Sequence, residues 1–143
     1  MIAIDTNLLV YAHRTATPEH RRAQRAIEQA AAAGEGWGFA QTTVAEFWSL
    51  VTHPAAAGRP SQPREAAGFI GALVDAGAEI WTAGADFGTR LTQTAADLHV
   101  TGVRIFDLQI ALTVFEAGAR AIWTHDASFV AVPGLRVVDP LRG

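Results

Sequence analysis

Met1-Ile2-Ala3-Ile4-Asp5-Thr6-Asn7 is a short apolar run that stops abruptly at three polar residues. Four consecutive apolar residues without alternation are the pattern of a strand buried on both faces, and Asp, Thr and Asn are residues that cap a helix or turn the chain. The opening therefore reads as a buried strand followed by a turn into a helix. The rest of the chain repeats that alternation. Residues 19–33 are rich in Ala, Arg, Gln and Glu and read as a helix ending at Gly34. Residues 37–40 read as a second strand, and 43–53 as a third helix cut off by Pro54. Residues 59–63 form a Pro- and Ser-containing turn before a helix over 64–75. A strand at 78–81, helices over 86–98 and 105–117, a strand at 121–124, a short helix over 127–130 and a last strand at 136–138 complete the reading. Strands alternating with helices predict an α/β domain of three layers, with a mostly parallel sheet covered on both faces.

The arithmetic of the chain agrees with one such domain spanning residues 1–143. Half of its 143 residues are apolar and 17% are charged, the balance of a compact globule and not of a disordered or low-complexity chain. No apolar stretch reaches the ~20 residues of a membrane span, and no basic, hydrophobic and cleavable leader is recognisable, so a cytoplasmic protein without a membrane partner is expected. Cysteine is absent, which excludes disulfides, a thiolate nucleophile and a thiolate zinc site. All 11 basic residues are arginine, which removes chemistries that need a site lysine, such as P-loop NTPases and Schiff-base enzymes. The formal charge of -3 means that any affinity for nucleic acid must be local.

In parallel sheets of this kind, ligands sit outside the carboxyl ends of the strands. Asp5 falls there, although it equally suits a helix cap. Asp126 lies two residues past the strand at 121–124 and reaches the same edge, or else caps the short helix that follows. Asp107 is the most informative acid. Gln109, Thr113, Glu116 and Arg120 form a polar stripe on its helix, whereas Asp107 shares the side of Ile110, Ala111 and Val114. A carboxylate on a core-facing side has to be paired, hydrogen-bonded or metal-bound, and the first turn of a helix favours it. Glu46, with Thr43, fits a capping box on a polar face shared with Ser49 and His53, and by itself reads as solvated. Four carboxylates brought to one edge repel one another unless a cation joins them. Oxygen donors without thiolate point to Mg²⁺ or Mn²⁺, and such an ion with its acidic water points to hydrolysis of a phosphodiester.

Four segments carry a resemblance that spans essentially the whole chain: Ile4-Asp5-Thr6-Asn7-Leu8-Leu9-Val10, Ala45-Glu46-Phe47, Phe106-Asp107-Leu108-Gln109-Ile110-Ala111 and Thr124-His125-Asp126-Ala127-Ser128-Phe129. In order and spacing they resemble the PIN-domain ribonucleases, and among them the small VapC toxins of bacterial toxin-antitoxin pairs. The resemblance implies a PIN-like α/β/α fold and places the catalytic, metal-binding acids at Asp5, Glu46, Asp107 and Asp126. It makes Thr6 and Thr124 supports that orient them. It further implies Mg²⁺- or Mn²⁺-dependent cleavage of structured RNA such as tRNA or rRNA, inhibition of translation, a homodimer, and a VapB-type antitoxin whose tail blocks the acidic groove. Many relatives carry a further acid or amide after the last of these strands, where this chain has His125, Ala127 and Ser128, so the number of ions per site stays open. His125 reads either as an assistant to the leaving group or as a bystander.

Arg14, Arg21, Arg22 and Arg25, with His13 and His20, concentrate positive charge near the second helix. They are the candidate RNA-phosphate residues, with a solvated helical face as the competing reading. Phe47, Trp48 and Trp81 read as core aromatics or as contacts for a partner chain. An inactive binding module of the same fold, a metal-dependent phosphatase and a DNA nuclease are the alternative functions.

Overall fold

The computed structural model describes residues 1–56 and 58–142. Five strands, β1 (Ile2–Ile4), β2 (Trp37–Ala40), β3 (Glu79–Trp81), β4 (Ala121–Trp123) and β5 (Arg136–Val138), form one sheet in the order β3-β2-β1-β4-β5. Every pairing is parallel, so the sheet is wholly rather than mostly parallel. Helices α1 (Thr6–His13) and α2 (His20–Ala32) connect β1 to β2, and α3 (Gln41–Thr52) and α4 (Pro63–Asp75) connect β2 to β3. Helices α5 (Phe87–Asp97) and α6 (Arg104–Glu116) lead to β4.

The pleat of the central strands sorts the core into two layers. Ile2, Ile4, Trp37 and Phe39 pack against α1 to α4, with Leu8, Leu9, Ile27, Phe47 and Ala66 among their neighbours. Ala3, Ala40, Trp81 and Ile122 face the other way, onto Leu108, Ala111 and Val114 of α6. Alternate residues of a strand point to opposite faces, so a strand covered on both sides has to be apolar throughout, as β1 is. Gly38 shows how closely β2 and β3 approach: a Cβ there would fall 2.1 Å from the Glu79 carbonyl oxygen. Gly34, at φ +77, supplies the left-handed residue that ends the turn after α2. Among the described residues no helix is long and apolar enough to cross a membrane.

Four local expectations are corrected. First, α3 starts at Gln41 with Ala40 as its cap residue, so Thr43 lies inside the helix and forms no capping box with Glu46. The capping contact belongs instead to α4, where the Gln62 amide donates to Glu65 Oε1 at 3.0 Å. Second, residues 127–130 form a turn, closed by Phe129 N donating to the Asp126 carbonyl at 3.1 Å, and not a helix. Third, the polar stripe on α6 is broken. Thr113 is buried and its hydroxyl donates back to the Gln109 carbonyl at 2.7 Å, whereas Gln109 is half-buried and Glu116 and Arg120 are exposed. Fourth, Asp107 does not face the interior outright, since about a quarter of its side chain, 24%, remains exposed.

The chain runs from β1 outward through β2 to β3, then crosses back to place β4 on the other side of β1. The carboxyl ends of β1 and β4 are therefore the point where the strand order reverses, which is where a crevice opens in such sheets.

Candidate active site

Asp5 stands at that crevice. Its amide donates to the Trp123 carbonyl at 3.0 Å, which draws the end of β1 against the end of β4. Its extended backbone makes it the N-cap of α1. The cap and the ligand-edge readings of Asp5 thus coincide in one side chain: Oδ1 accepts from Thr6 N at 2.8 Å, and Oδ2 accepts from the Thr124 hydroxyl at 2.7 Å. The carboxyl is buried, and its pKa is pushed up to about 6. Burial is the main cause, the hydrogen bonds from Thr124 and Thr6 oppose it, and the nearby charges of Glu46 and Asp107 add to it.

Thr124 is the hub of the site. While its hydroxyl donates to Asp5, it accepts from Asn7 Nδ2 at 3.0 Å and from Asp126 N at 3.1 Å, which uses its whole hydrogen-bonding capacity. Asn7 closes the loop, its Oδ1 accepting from His125 N at 3.1 Å. Asn7 was not among the expected site residues, although its sequence signal was present as the third polar residue after β1. Thr6 supports Asp5 through its backbone only. Its hydroxyl is buried and has no partner among the described residues, as is also true of Thr43.

Asp107 and Asp126 meet around a residue the sequence reading did not single out. Arg104, the first residue of α6, places Nη1 3.4 Å from Asp107 Oδ2 and 3.8 Å from Asp126 Oδ2. Asp126 Oδ1 accepts from both the hydroxyl and the amide of Ser128, at 2.7 and 2.9 Å. Those two bonds, with Arg104 adding its charge, hold Asp126 below the usual carboxylate range. Val130 N also approaches Asp107 Oδ2, at 3.4 Å. Glu46 is exposed on α3 and makes no hydrogen bond or ion pair among the described residues; its link to the others is its charge, felt at Asp5.

His125 turns away from the acids. Its Nδ1 lies 2.9 Å from Asp139 Oδ2, and Tyr11 meets its ring edge-on at 6.1 Å between centroids. An ionised carboxylate only accepts, so Nδ1 carries the proton. Burial works to raise the Asp139 pKa, but the bonds from His125 and Leu141 N, with Arg142 nearby, hold it below the usual range.

The basic group near α2 divides. Arg14 donates to the carbonyls of Arg59 and Val51, and Arg22 Nη1 to that of Leu141 at 2.9 Å. His13 packs edge-on against the stacked Phe47 and Phe69 and contacts Ser61 Oγ at 2.7 Å, and His20 Nδ1 lies 2.9 Å from the Tyr11 carbonyl. Arg21 and Arg25 are the pair left facing a shallow surface depression, together with Gln24 and Glu28. Of the aromatics, Phe47 and Trp81 are buried, and Trp48 is partly exposed at 38%.

The sequence matches the PIN domain over residues 2–135. It is 30% identical, over all of this chain and 97% of the relative, both to VapC ribonuclease Mb2897 of Mycobacterium bovis and to Ribonuclease VapC43 of Mycobacterium tuberculosis. Ribonuclease VapC48 of M. tuberculosis is 28% identical over 97% of each chain. The chain belongs to the PIN-domain family, among its VapC ribonucleases. Solved structures share the fold at lower identity. Mycobacterium tuberculosis VapC20, described as a Sarcin-Ricin loop cleaving toxin, superposes with a TM-score of 0.66 at 15% identity, over 90% of this chain and 92% of that one. A chain of VapBC2 from Rickettsia felis, bound to a DNA fragment from its promoter, gives 0.68 at 18% identity, over 96% and 97%. A chain of FitAB bound to the IR36 DNA fragment gives 0.70 at 18% identity, over 99% and 96%.

The donors in the crevice suit a hard divalent cation, because all are carboxylate oxygens and, among the described residues, the buried Asp5 charge is met by the neutral donors Thr6 N and the Thr124 hydroxyl. They do not make a cage: among the described residues no three His, Asp or Glu side chains converge as a ready metal-binding group. Mg²⁺ tolerates that arrangement, since it keeps several waters and is held by one or two carboxylates plus substrate phosphate.

Proposed function

We propose that this chain is a Mg²⁺- or Mn²⁺-dependent endoribonuclease toxin that cuts structured RNA such as tRNA or rRNA, inhibits translation and is neutralised by a VapB-type antitoxin. The observation that carries the reading is the buried Asp5 carboxylate at the reversal point of the sheet, held by Thr6 N and Thr124 and crowded by the charges of Glu46 and Asp107. Full-length similarity to VapC ribonucleases supports the reaction class. The likeness to chains of VapBC2 and FitAB supports a fold able to accept an antitoxin, and the homodimer is what the family resemblance implies.

Asp5, Glu46, Asp107 and Asp126 are the residues that would hold the ion. The chemistry a divalent cation supplies is to make a bound water acidic and to take up charge from the phosphoryl oxygens. The chain does the rest. Thr124 and Thr6 N lower the Asp5 pKa against its burial and fix the orientation of its carboxylate, and Asn7 locks Thr124 in place. Ser128 keeps Asp126 ionised. Arg21 and Arg25 are the basic residues at the α2 surface best placed to meet RNA phosphates, because Arg14 and Arg22 are engaged with carbonyls.

The test compares the purified chain with its Asp5→Asn variant on bulk tRNA and rRNA, with Mg²⁺, with Mn²⁺ and with chelator. Cleavage at discrete sites, by the parent chain alone and only with metal, is the expected result. Equal inactivity of both chains on RNA would overturn it in favour of an inactive binding module, and turnover of a chromogenic phosphomonoester would favour a phosphatase.

A further inference from the structure

Arg104 sits among the acids without being docked on any of them. Its Nη1 is 3.4 Å from Asp107, 3.8 Å from Asp126 and 3.3 Å from the Ser128 carbonyl, and its side chain is 45% exposed. A charge-assisted hydrogen bond is normally about 2.7–2.9 Å long. The contrast within the chain is Arg90, whose Nε and Nη2 grip Glu116 at 2.6 and 2.8 Å in a two-pronged pair. Arg104 uses one nitrogen for three distant acceptors, and among the described residues its Nε and Nη2 have no partner. It also opens a 13-residue helix, where the positive end of the helix dipole disfavours a cation. A structural ion pair would not be built in this way. A guanidinium kept loose beside an acidic crevice, with its fork free, matches the planar two-pronged geometry of a phosphate.

We infer that Arg104 is a substrate-binding residue of this site, released from Asp107 and Asp126 when a divalent cation joins those carboxylates, and that its guanidinium then takes an RNA phosphate next to the scissile bond. The inference rests on the ribonuclease reading above. A cation held by Asp107 and Asp126 would compete with Arg104 for their carboxylates, so removing the arginine charge has opposite effects on the two ligands. It favours the metal and disfavours the RNA.

The test uses the full chain with Arg104→Gln and Arg104→Lys, and Arg64→Gln as a control at an exposed arginine of α4. Calorimetry with Mn²⁺ alone reads metal affinity. The protein concentration giving half-maximal single-turnover cleavage of tRNA and rRNA, over a series of salt concentrations, reads RNA binding. Arg104→Gln is expected to bind Mn²⁺ about fivefold more tightly. It should need about tenfold more protein for half-maximal cleavage, with a salt dependence lower by about one ion. Arg104→Lys, which keeps the charge and loses the fork, should match the parent on Mn²⁺ and fall between the two on RNA. Tighter Mn²⁺ with unchanged RNA dependence would overturn the inference and leave Arg104 as a counter-ion to the acids. No change in either measurement would overturn it too, as would an equal RNA defect in Arg64→Gln. If the parent chain itself neither binds Mn²⁺ nor cuts RNA, the ribonuclease reading fails and this inference falls with it.

Discussion

The carboxyl end of β1 and the opening turn of α6 bring acids to one crevice, but they hold them by different means. At β1 the fold does the holding. Asp5 is buried, its two oxygens accept at 2.8 and 2.7 Å, and its donors come from the next residue and from the neighbouring strand. At α6 the hold is looser. Asp107 and Asp126 share an exposed arginine at 3.4 and 3.8 Å, and among the described residues only Ser128 makes short bonds to either acid. The first arrangement fixes a charge where burial opposes it. The second leaves two carboxylates adjustable, as residues that exchange one cationic partner for another need to be.

The largest effect expected from breaking this contrast is at Thr124. Thr124→Val keeps the shape but leaves Asn7 Nδ2 and Asp126 N without their acceptor and Asp5 Oδ2 without its donor, at a cost of about 1–3 kcal/mol in urea unfolding. A cost near zero would mean that the β1 side is no more tightly built than the α6 side. Arg104→Gln, by contrast, should change stability by less than about 1 kcal/mol in the same measurement, since long, exposed ion pairs contribute little. A larger loss would make Arg104 a structural residue.

The same contrast explains what could be read from the sequence. The apolar run before Asp5 and its polar stop were enough to place a buried strand and a carboxylate at its end, because both are local patterns. The four acids were candidates from their places at strand ends and on helices, and the resemblance added Thr124 and a common role for them. Arg104 could not be found that way: an arginine at a helix start looks like solvated surface, and its neighbour Asp126 is 22 positions along the chain. Asn7 was visible only as a turn residue, since its partners Thr124 and His125 lie on another strand's end. The capping box assigned to Thr43 and Glu46 failed because β2 runs directly into α3, with no turn between them. Arg14 and Arg22 shared a charge pattern with Arg21 and Arg25, and composition does not show which guanidinium meets a carbonyl.

Asp5 carries a charge that the fold alone does not compensate. A pKa raised from 3.8 to about 6 means that the folded chain binds a proton at higher pH than the unfolded chain does. Ionised Asp5 therefore costs stability above about pH 6, up to roughly 3 kcal/mol, and the cost is relieved as pH falls through 6 towards 4. The most direct measurement is the thermal unfolding of the parent chain and of Asp5→Asn from pH 5 to 8, with chelator and with Mg²⁺. With chelator the parent is expected to lose stability relative to the variant as pH rises through 6, and Mg²⁺ is expected to restore it in the parent only. A difference that stays flat with pH, or an equal response of both chains to Mg²⁺, would contradict it.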